Sequence, residues 1–191
     1  MVTQTNVPFP IGHGDITVTT KRNRQVHIRH LMPKDVEMLV EFFYHLSPET
    51  RRLRFINVPP SPPKDLITRE AERLVVLDPL RQAALVSTIQ EDGCEHAVGV
   101  SRLATKADEP ETAEFAIVIR DDYQKEGLGT VLFDLLLQIA LVRGLKRMVG
   151  LTLAENHGIH RLVRQAGLPV TSKTSRGETT LTISLSDSAN S

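Results

Sequence analysis

The feature that most constrains the fold is a glycine-containing loop, residues 124–130, which separates two segments of different hydrophobic period. Upstream, residues 113–120 alternate in polarity and are rich in β-branched side chains, which predicts a strand. Downstream, apolar residues recur at helical spacing over residues 131–140, which predicts an amphipathic helix. The chain must therefore turn from a strand into a helix at Gly127 and Gly129.

Such a turn is a candidate anion site. The start of a helix offers about four backbone N–H groups without intrahelical partners and roughly half a positive charge. Glycine lets a ligand approach this backbone closely, and a pyrophosphate is the ligand that these properties predict. The glycines of the loop also have an explanation without a ligand, because they let a strand turn tightly into a helix.

Charge and cysteine content exclude several classes of function. The 23 basic and 23 acidic side chains cancel, so the chain lacks the positive field that attracts nucleic acids and anionic membranes. We therefore expect no nucleic-acid partner and no membrane partner. Cys94 is the only cysteine, which excludes an internal disulfide and a cysteine-based zinc site, and no metal site is predicted. A lone cysteine and the absence of a signal-peptide pattern predict a cytoplasmic protein.

The order of predicted elements indicates an α+β fold. At 191 residues the chain is long enough for one domain, which we place at residues 15–185, with flexible ends at 1–14 and 186–191. Predicted strands cover residues 15–20, 26–29, 83–90, 97–105, 113–120, 147–153, 170–174 and 179–185. Predicted helices cover residues 33–46, begin at Ser47-Pro48, Ser61-Pro62 and Gly127, and follow Asn156. This order predicts a mixed, mainly antiparallel sheet.

The loop and the element order resemble the GCN5-related N-acetyltransferase (GNAT) superfamily, whose signature is Gln/Arg-x-x-Gly-x-Gly/Ala. Gln124, Gly127 and Gly129 stand at the signature positions. A second block, residues 156–163 followed by Gly167-Leu168, is similar to the asparagine-led helix of the family and to the Gly-Phe that ends it. The resemblance covers about residues 15–185.

A third block points to a subfamily. Residues 26–35, with Phe42-Phe43 and residues 46–55, look like the corresponding stretch of bacterial protein lysine acetyltransferases. The resemblance implies a GNAT-like sheet with helices on both faces and a splayed strand pair that holds acetyl-CoA. It also allows a homodimer, since dimers are common among such domains.

The resemblance implies a set of cofactor-binding residues. Backbone N–H groups of the loop would hold the pyrophosphate of coenzyme A, the backbone of the preceding strand would bond the pantetheine arm, and Asn156 would bond that arm from the other side. Asn156 also reads as a plain helix N-cap, and one residue can fill both roles. The set is Ile117, Val118, Ile119, Gln124, Lys125, Glu126, Gly127, Leu128, Gly129, Thr130 and Asn156.

The implied reaction is attack of an amine on the acetyl thioester. An alkylamine is protonated at neutral pH, so a base must take a proton from it. Glu114 is the candidate base, because many family members carry the catalytic glutamate at this place in the strand before the loop. The alternative is an exposed glutamate that only satisfies the alternation of a strand.

The sequence departs from the family at one position. Family members often carry a tyrosine where this chain has Val163, and the hydroxyl of that tyrosine can protonate the departing thiolate. No tyrosine acid is therefore expected there. His157 and His160 lie on the same predicted helix and are candidate substitutes, although a histidine at a helix start is more often solvated or capping.

We interpret the chain as an acetyl-CoA-dependent N-acetyltransferase that acts on a primary amine, with a protein lysine as the leading acceptor. The alternatives are a small-molecule amine acetyltransferase and a non-catalytic acyl-CoA-binding sensor. The cluster of arginines at residues 51–54 is interpreted either as a contact for an acidic protein substrate or, more simply, as a solvated helical face.

Overall fold

The computed structural model describes residues 15–56, 58–59 and 61–185, so the predicted flexible ends at 1–14 and 186–191 lie outside the described residues. The described chain forms one eight-stranded sheet with five α-helices. The strands are β1 (Ile16–Thr19), β2 (Gln25–His30), β3 (Gln82–Glu91), β4 (Cys94–Thr105), β5 (Thr112–Ile119), β6 (Arg147–Leu153), β7 (Val170–Ser175) and β8 (Glu178–Ser184). The helices are α1 (Val36–His45), α2 (Pro48–Arg54), α3 (Lys64–Val75), α4 (Leu128–Val142) and α5 (His157–Gln165).

The sheet is mixed and mainly antiparallel, as predicted. The strand order is β1-β2-β3-β4-β5-β6-β8-β7. All neighbours are antiparallel except β5 and β6, which are parallel and are connected through α4. Since a parallel pair needs a crossover connection, the strand–loop–helix segment found in the sequence is the crossover that brings β6 beside β5.

The central hairpin forms at the turn that the sequence indicates. Asp92 and Gly93, between β3 and β4, both have left-handed backbone angles, with φ of 49° and 78°. Two consecutive left-handed residues are the geometry of a type I′ turn, which matches the twist of the flanking strands. The Asp-Gly pair therefore fixes the register of the β3–β4 pairing from Glu91↔Cys94 to Thr88↔Ala97, after which an irregularity between Ser87 and Thr88 shifts the register for the remainder, as far as Gln82↔Ala104.

Helices cover both faces of the sheet. On one face α4 and α5 cover a core that contains Phe115, Phe133 and Met148. On the other face α1 and α3 cover a second core, which contains Phe43 and Val118. The alternation of β5 sends Phe115 to the first core and Val118 to the second, so this strand is buried from both sides.

One predicted helix start is wrong by a few residues. The sequence places the start of the third helix at Ser61-Pro62, whereas α3 begins at Lys64, and Pro63 is its N-cap with extended angles (φ −60°, ψ 147°). The reason is the second proline, because a residue that precedes proline is pushed out of the helical region. The loop predicted at 57–60 falls partly on Asn57 and Pro60, which lie outside the described residues.

A buried ion cluster ties the second core to the sheet. Arg29 of β2 is 6% exposed and forms paired hydrogen bonds with the Asp35 carboxylate at 2.7 and 2.9 Å. It also donates to both carboxylate oxygens of Glu95 at 3.0 and 2.8 Å. Hydrogen bonding from Arg29 lowers the pKa of Glu95, although burial opposes this shift. The cluster thus joins β2, β4 and the turn that begins α1.

We predict that Glu95→Gln lowers the free energy of unfolding at pH 7 by about 1–3 kcal/mol, because it removes a charge-assisted partner of a buried guanidinium. The lowered pKa means that the carboxylate of Glu95 stabilises the fold above its ordinary pKa, and that this stability is lost as the pH falls through the lowered value. Urea unfolding between pH 7 and pH 3 should therefore show a smaller acid-dependent loss in the variant than in the wild type.

The matched control is Glu70→Gln on α3. Glu70 pairs with Arg73 at 2.8 Å on an exposed surface, so the change should cost no more than about 0.5 kcal/mol. Equal effects of the two substitutions, or parallel pH curves for Glu95→Gln and the wild type, would contradict a stabilising role for the cluster.

Candidate active site

The pairing between β5 and β6 ends soon after it begins. The parallel register covers three pairs, Thr112↔Arg147, Ala113↔Met148 and Glu114↔Val149. Both strands continue, β5 to Ile119 and β6 to Leu153, without pairing to each other. A gap therefore opens in the sheet just after Glu114, and the splayed strand pair expected from the resemblance is present.

An aromatic ring lies where the two strands diverge. Phe115 follows the last paired residue of β5, and its ring packs so closely over Gly150 of β6 that a Cβ added at Gly150 would come within 2.7 Å of it. The ring also meets Phe133 of α4 edge-on, with centroids 5.5 Å apart. Only glycine fits at position 150 beside this ring, which fills the sheet face under α4 at the start of the gap.

Backbone groups of β5 point into the gap. The N–H of Arg120 donates to the Val98 carbonyl of β4 at 2.9 Å, so the backbones of even-numbered residues in this strand face β4. By alternation, Val118 faces β4, and Ile117 and Ile119 face the gap. Ile117 thus presents an N–H and a carbonyl to the gap, as an added strand would require, and Val118 does not.

The loop after β5 presents a row of free N–H groups. Lys125 and Gly127 are left-handed, with φ of 61° and 94°. In the part of the chain that the structure describes, no acceptor is recorded for the N–H groups of residues 125–129, whereas Thr130 N–H donates to the Gly127 carbonyl at 3.1 Å. Left-handed turns in front of a helix create a concave group of N–H donors that binds anions. The loop therefore has the geometry of a phosphate cradle.

The side chain of Glu126 faces away from the cradle and anchors it. This residue is 1% exposed, and its carboxylate binds Arg24 and lies 3.5 Å from Arg22 Nε. Its carbonyl accepts a hydrogen bond from Lys21 N–H at 3.0 Å. Burial tends to raise the pKa of Glu126, but the hydrogen bonds from Arg24 and Thr20 outweigh it, so the net pKa is lowered. Glu126 thus clamps the loop to the β1–β2 hairpin as a carboxylate.

A second set of contacts ties the loop to α2. The Gln124 amide donates to the Ile119 carbonyl at 3.0 Å and to Thr50 Oγ1 at 3.1 Å. Asp121 accepts hydrogen bonds from the N–H and hydroxyl of Ser47 at 2.8 and 2.7 Å, and from the hydroxyl of Thr50 at 2.7 Å. The side-chain amide nitrogen of Gln124 is therefore occupied within the protein, and α2 is held beside the gap.

The opposite side of the gap is formed by α5. Asn156 is its N-cap and accepts from Ile159 N–H at 3.3 Å, while its amide donates to Thr152 Oγ1 at 3.0 Å. A Cβ at Gly129 would lie 3.3 Å from Ile119 and 4.0 Å from Leu162 of α5. Glycine at 129 therefore lets α4, α5 and the end of β5 approach one another.

The candidate base stands at the mouth of the gap. Glu114 is the last paired residue of β5, and its side chain is 65% exposed and 3.6 Å from Lys106 Nζ. By alternation it shares a sheet face with Ala116 and Val118, the face that α1 and α3 cover elsewhere. A carboxylate in this position is open to a ligand that approaches from solvent.

No general acid is present at the position where the family often has tyrosine. Val163 is 1% exposed and packs in the first core. On the other side of α5, His157 and His160 line a cleft of about 610 Å³ with two basic residues, Arg161 and Arg164. The Nε2 atom of His160 is buried without a hydrogen-bond partner in the described chain.

Two anchors of the site were not found from the sequence. Asp121 lies three residues before the loop, and an acidic residue available to bind the Ser47-Pro48 helix start was a usable signal for it. Arg24 is 102 residues from the carboxylate it binds, and no local pattern connects the two.

Between residues 15 and 185, at the positions described, no metal-binding cluster of histidine, cysteine and acidic residues is found. The same region contains no helix long and apolar enough to cross a membrane.

Comparisons with known proteins agree with this geometry. Residues 25–169 match the model of the acetyltransferase (GNAT) domain family. The acetyltransferase PA5475 of Pseudomonas aeruginosa is 34% identical over 139 residues, which make up 73% of this chain and 72% of that protein.

Solved structures show the same fold. The GNAT domain of S. lividans PAT superposes with a TM-score of 0.76 at 21% identity, covering 90% of this chain and 97% of that one. The yncA protein of Salmonella typhimurium, solved with its cofactor acetyl-CoA, has a TM-score of 0.59 at 20% identity over 86% of this chain and 96% of its own. The chain belongs to the GNAT family and is an acetyl-CoA-dependent N-acetyltransferase.

Proposed function

We propose that this protein transfers the acetyl group of acetyl-CoA to the side-chain amine of a protein lysine, by direct attack in a ternary complex. The observation that carries the proposal is the gap between β5 and β6, which opens directly after the exposed carboxylate of Glu114. A cofactor arm in this gap and a base at its mouth are the two parts that the reaction needs.

The contacts of the gap support a definite placement of the cofactor. The free N–H groups of residues 125–129 suit the pyrophosphate. The backbone of Ile117 suits the amide groups of the pantetheine arm, which would pair with it like an added strand. The side chain of Asn156 already caps α5 and donates to Thr152. We therefore assign it a contact to the arm only through a hydrogen-bonding position that these two bonds leave open. Acetyl-CoA, when bound, supplies a thioester that an amine can attack.

Glu114 is proposed to remove the proton. Its carboxylate would accept a proton from the acceptor amine, directly or through one water molecule, and so give the amine the lone pair that it needs for attack. Because Val163 provides no hydroxyl, the thiolate of coenzyme A would leave without protonation from this position.

The openness of the acceptor side favours a protein substrate. The side chain of Glu114 is 65% exposed, so a lysine on a large molecule can reach it without entering a closed chamber. A small-molecule amine remains the second acceptor class, and a non-catalytic acyl-CoA sensor is the third hypothesis. The three differ in whether acetyl transfer occurs and in the size of the molecule that receives it.

We predict that Glu114→Gln lowers kcat by roughly 100-fold to 10,000-fold, because a carboxamide cannot accept the proton of the amine. The affinity for acetyl-CoA should stay unchanged, since the substitution leaves the loop and the gap backbone intact. Thiol release with a lysine-containing protein and with a panel of small amines measures the first quantity, and isothermal titration calorimetry measures the second.

The control for this variant is Glu91→Gln, a neutralised glutamate at the exposed end of β3, which should retain wild-type turnover. Full activity in Glu114→Gln would remove Glu114 from the mechanism. If the wild type binds acetyl-CoA and acetylates neither the protein nor any small amine, the sensor hypothesis replaces the enzyme.

We further predict that Gly127→Ala weakens acetyl-CoA binding at least about tenfold. Alanine is strained at a φ of 94°, and relaxation of the loop would misalign N–H donors whose hydrogen bonds to a charged phosphate are worth about 1.5 kcal/mol or more. Calorimetric titration with acetyl-CoA checks this value.

A matched variant separates backbone strain from ligand binding. Gly93→Ala introduces the same side chain at a φ of 78° in the distant β3–β4 turn, with nothing within 4 Å of the new Cβ. It should lower stability by a similar amount, about 1 kcal/mol, and leave the affinity for acetyl-CoA unchanged. If both variants bind acetyl-CoA like the wild type, the loop is not the phosphate cradle.

A further inference from the structure

The three arginines of the 51–54 cluster have separate environments. Arg51 donates to the Leu46 and Tyr44 carbonyls at 3.0 Å each. Arg52 pairs with Glu49 at 2.8 Å and also binds Glu155. Arg54, the last residue of α2, has no carboxylate partner among the described residues. The cluster is therefore neither one solvated face nor one binding patch, and Arg54 is the one of the three whose Nε is shielded from solvent without a hydrogen-bond partner in the described chain.

A second unpaired arginine lies close to the first. Arg102 is in the middle of β4, where it is paired in register with Ala116 of β5. The Nε atoms of Arg54 and Arg102 are both shielded from solvent, and neither has a hydrogen-bond partner in the described chain. The positive charge of Arg102 acts on Arg54, since burial first and this charge second lower the pKa of Arg54 to about 10. Arg54 nevertheless remains a cation at neutral pH.

Two neighbouring, partly buried arginines whose Nε atoms are shielded and lack a carboxylate partner are an unusual arrangement in a folded protein. Charged side chains are seldom buried unless they are paired, because the loss of hydration must be compensated. The other partly buried guanidinium groups near the site have acceptors, since Arg24 binds Glu126 and Arg120 binds Asp122. The Arg54 guanidinium lies over the Phe55 ring, with its Cζ 5.0 Å from the ring centroid, but a neutral ring leaves Nε without an acceptor, and a bound anion would supply one to both arginines.

The position of the pair connects it to the reaction. Glu114 is paired with Ala104, so Arg102 is its diagonal neighbour on the same face of the sheet, at a Cβ separation of about 7 Å. Arg54 ends α2, a helix that packs against β5 and contacts the loop through Thr50. A molecule whose amine meets Glu114 would thus place a group a few bonds away against the two arginines.

We propose that Arg54 and Arg102 together bind a carboxylate of the acceptor, so that the enzyme acetylates amines that carry an acidic group near the amine. Guanidinium groups are suited to this task because their planar donors bind a carboxylate in a bidentate manner. The inference rests on the proposed function. The carboxylate has two sources, an acidic residue beside the lysine of a polypeptide or the α-carboxylate of a free amino acid.

The test compares kcat/KM for matched pairs of acceptors. One arm uses end-capped peptides in which lysine is followed by glutamate or by glutamine, and the other uses free amino acids and their carboxamides. We expect the carboxylate member of one arm to be favoured at least about tenfold. The preference should disappear in Arg54→Gln and in Arg102→Gln, while the KM for acetyl-CoA stays constant. The arm that shows the preference identifies the source of the carboxylate.

Two further measurements keep the outcome clear. Arg73→Gln, on the exposed side of α3, should retain the preference, and it controls for loss of a positive charge. The melting temperature of the apoprotein should stay equal or rise in Arg54→Gln and Arg102→Gln, because the wild-type guanidinium groups have no carboxylate partner among the described residues. Glutarate, as a carboxylate probe, should raise the melting temperature of the wild type and not that of these two variants.

Equal kcat/KM for both members of each pair, or a preference that survives in both arginine variants, would overturn the carboxylate site while leaving the acetyltransferase intact. If no amine of any kind is acetylated, the proposed function fails, and the glutarate measurement then decides the carboxylate site alone. Absence of a glutarate effect in that case would overturn it.

Discussion

The site depends on an interruption of backbone pairing inside the sheet. β5 and β6 pair over three residues and then diverge, which leaves the gap-facing backbone of Ile117 without a strand partner. Unpaired backbone groups inside a protein are costly, so the gap has to be maintained by the elements around it. The Phe115 ring over Gly150, α2 on one side and α5 on the other supply those contacts. A sheet with complete β5–β6 pairing would be more regular and would have no place for a cofactor.

Within a short stretch of the chain, the side chains hold the loop in place and the backbone N–H groups remain available to a ligand. From Asp121 to Gly129, the side chains of Asp121, Gln124 and Glu126 are bound to α2, β5 and the β1–β2 hairpin. The backbone N–H groups of residues 125–129 are left free. Fixed side chains hold the loop in a conformation that would otherwise be lost on ligand release, so binding a phosphate requires little reordering of the chain.

Much of the fold and part of the site could be predicted from local pattern. The Asp92-Gly93 turn, the strand before the loop and the helix after it depend on neighbours in sequence, and the structure confirms them. The predicted start of α3 was wrong because the second of two consecutive prolines moves the start of the helix towards the C-terminus, which the capping signal at Ser61 does not reveal. The Arg24–Glu126 contact and the placement of Arg102 near Arg54 join distant segments, and no periodicity encodes them. A charged residue within the apolar run of β4 was the one available signal for Arg102. The homodimer, the cytoplasmic location and the catalytic role of Glu114 stay predictions.

The contact between Arg24 and Glu126 has a consequence beyond holding a loop in place. It joins the first hairpin of the sheet to the turn that presents the N–H groups, so we expect the two segments to move together rather than separately. Binding of a ligand at the loop would therefore also stabilise β1 and β2, two strands that do not line the gap. We therefore expect amide hydrogen exchange in the hairpin at the sheet edge to slow when the loop is filled.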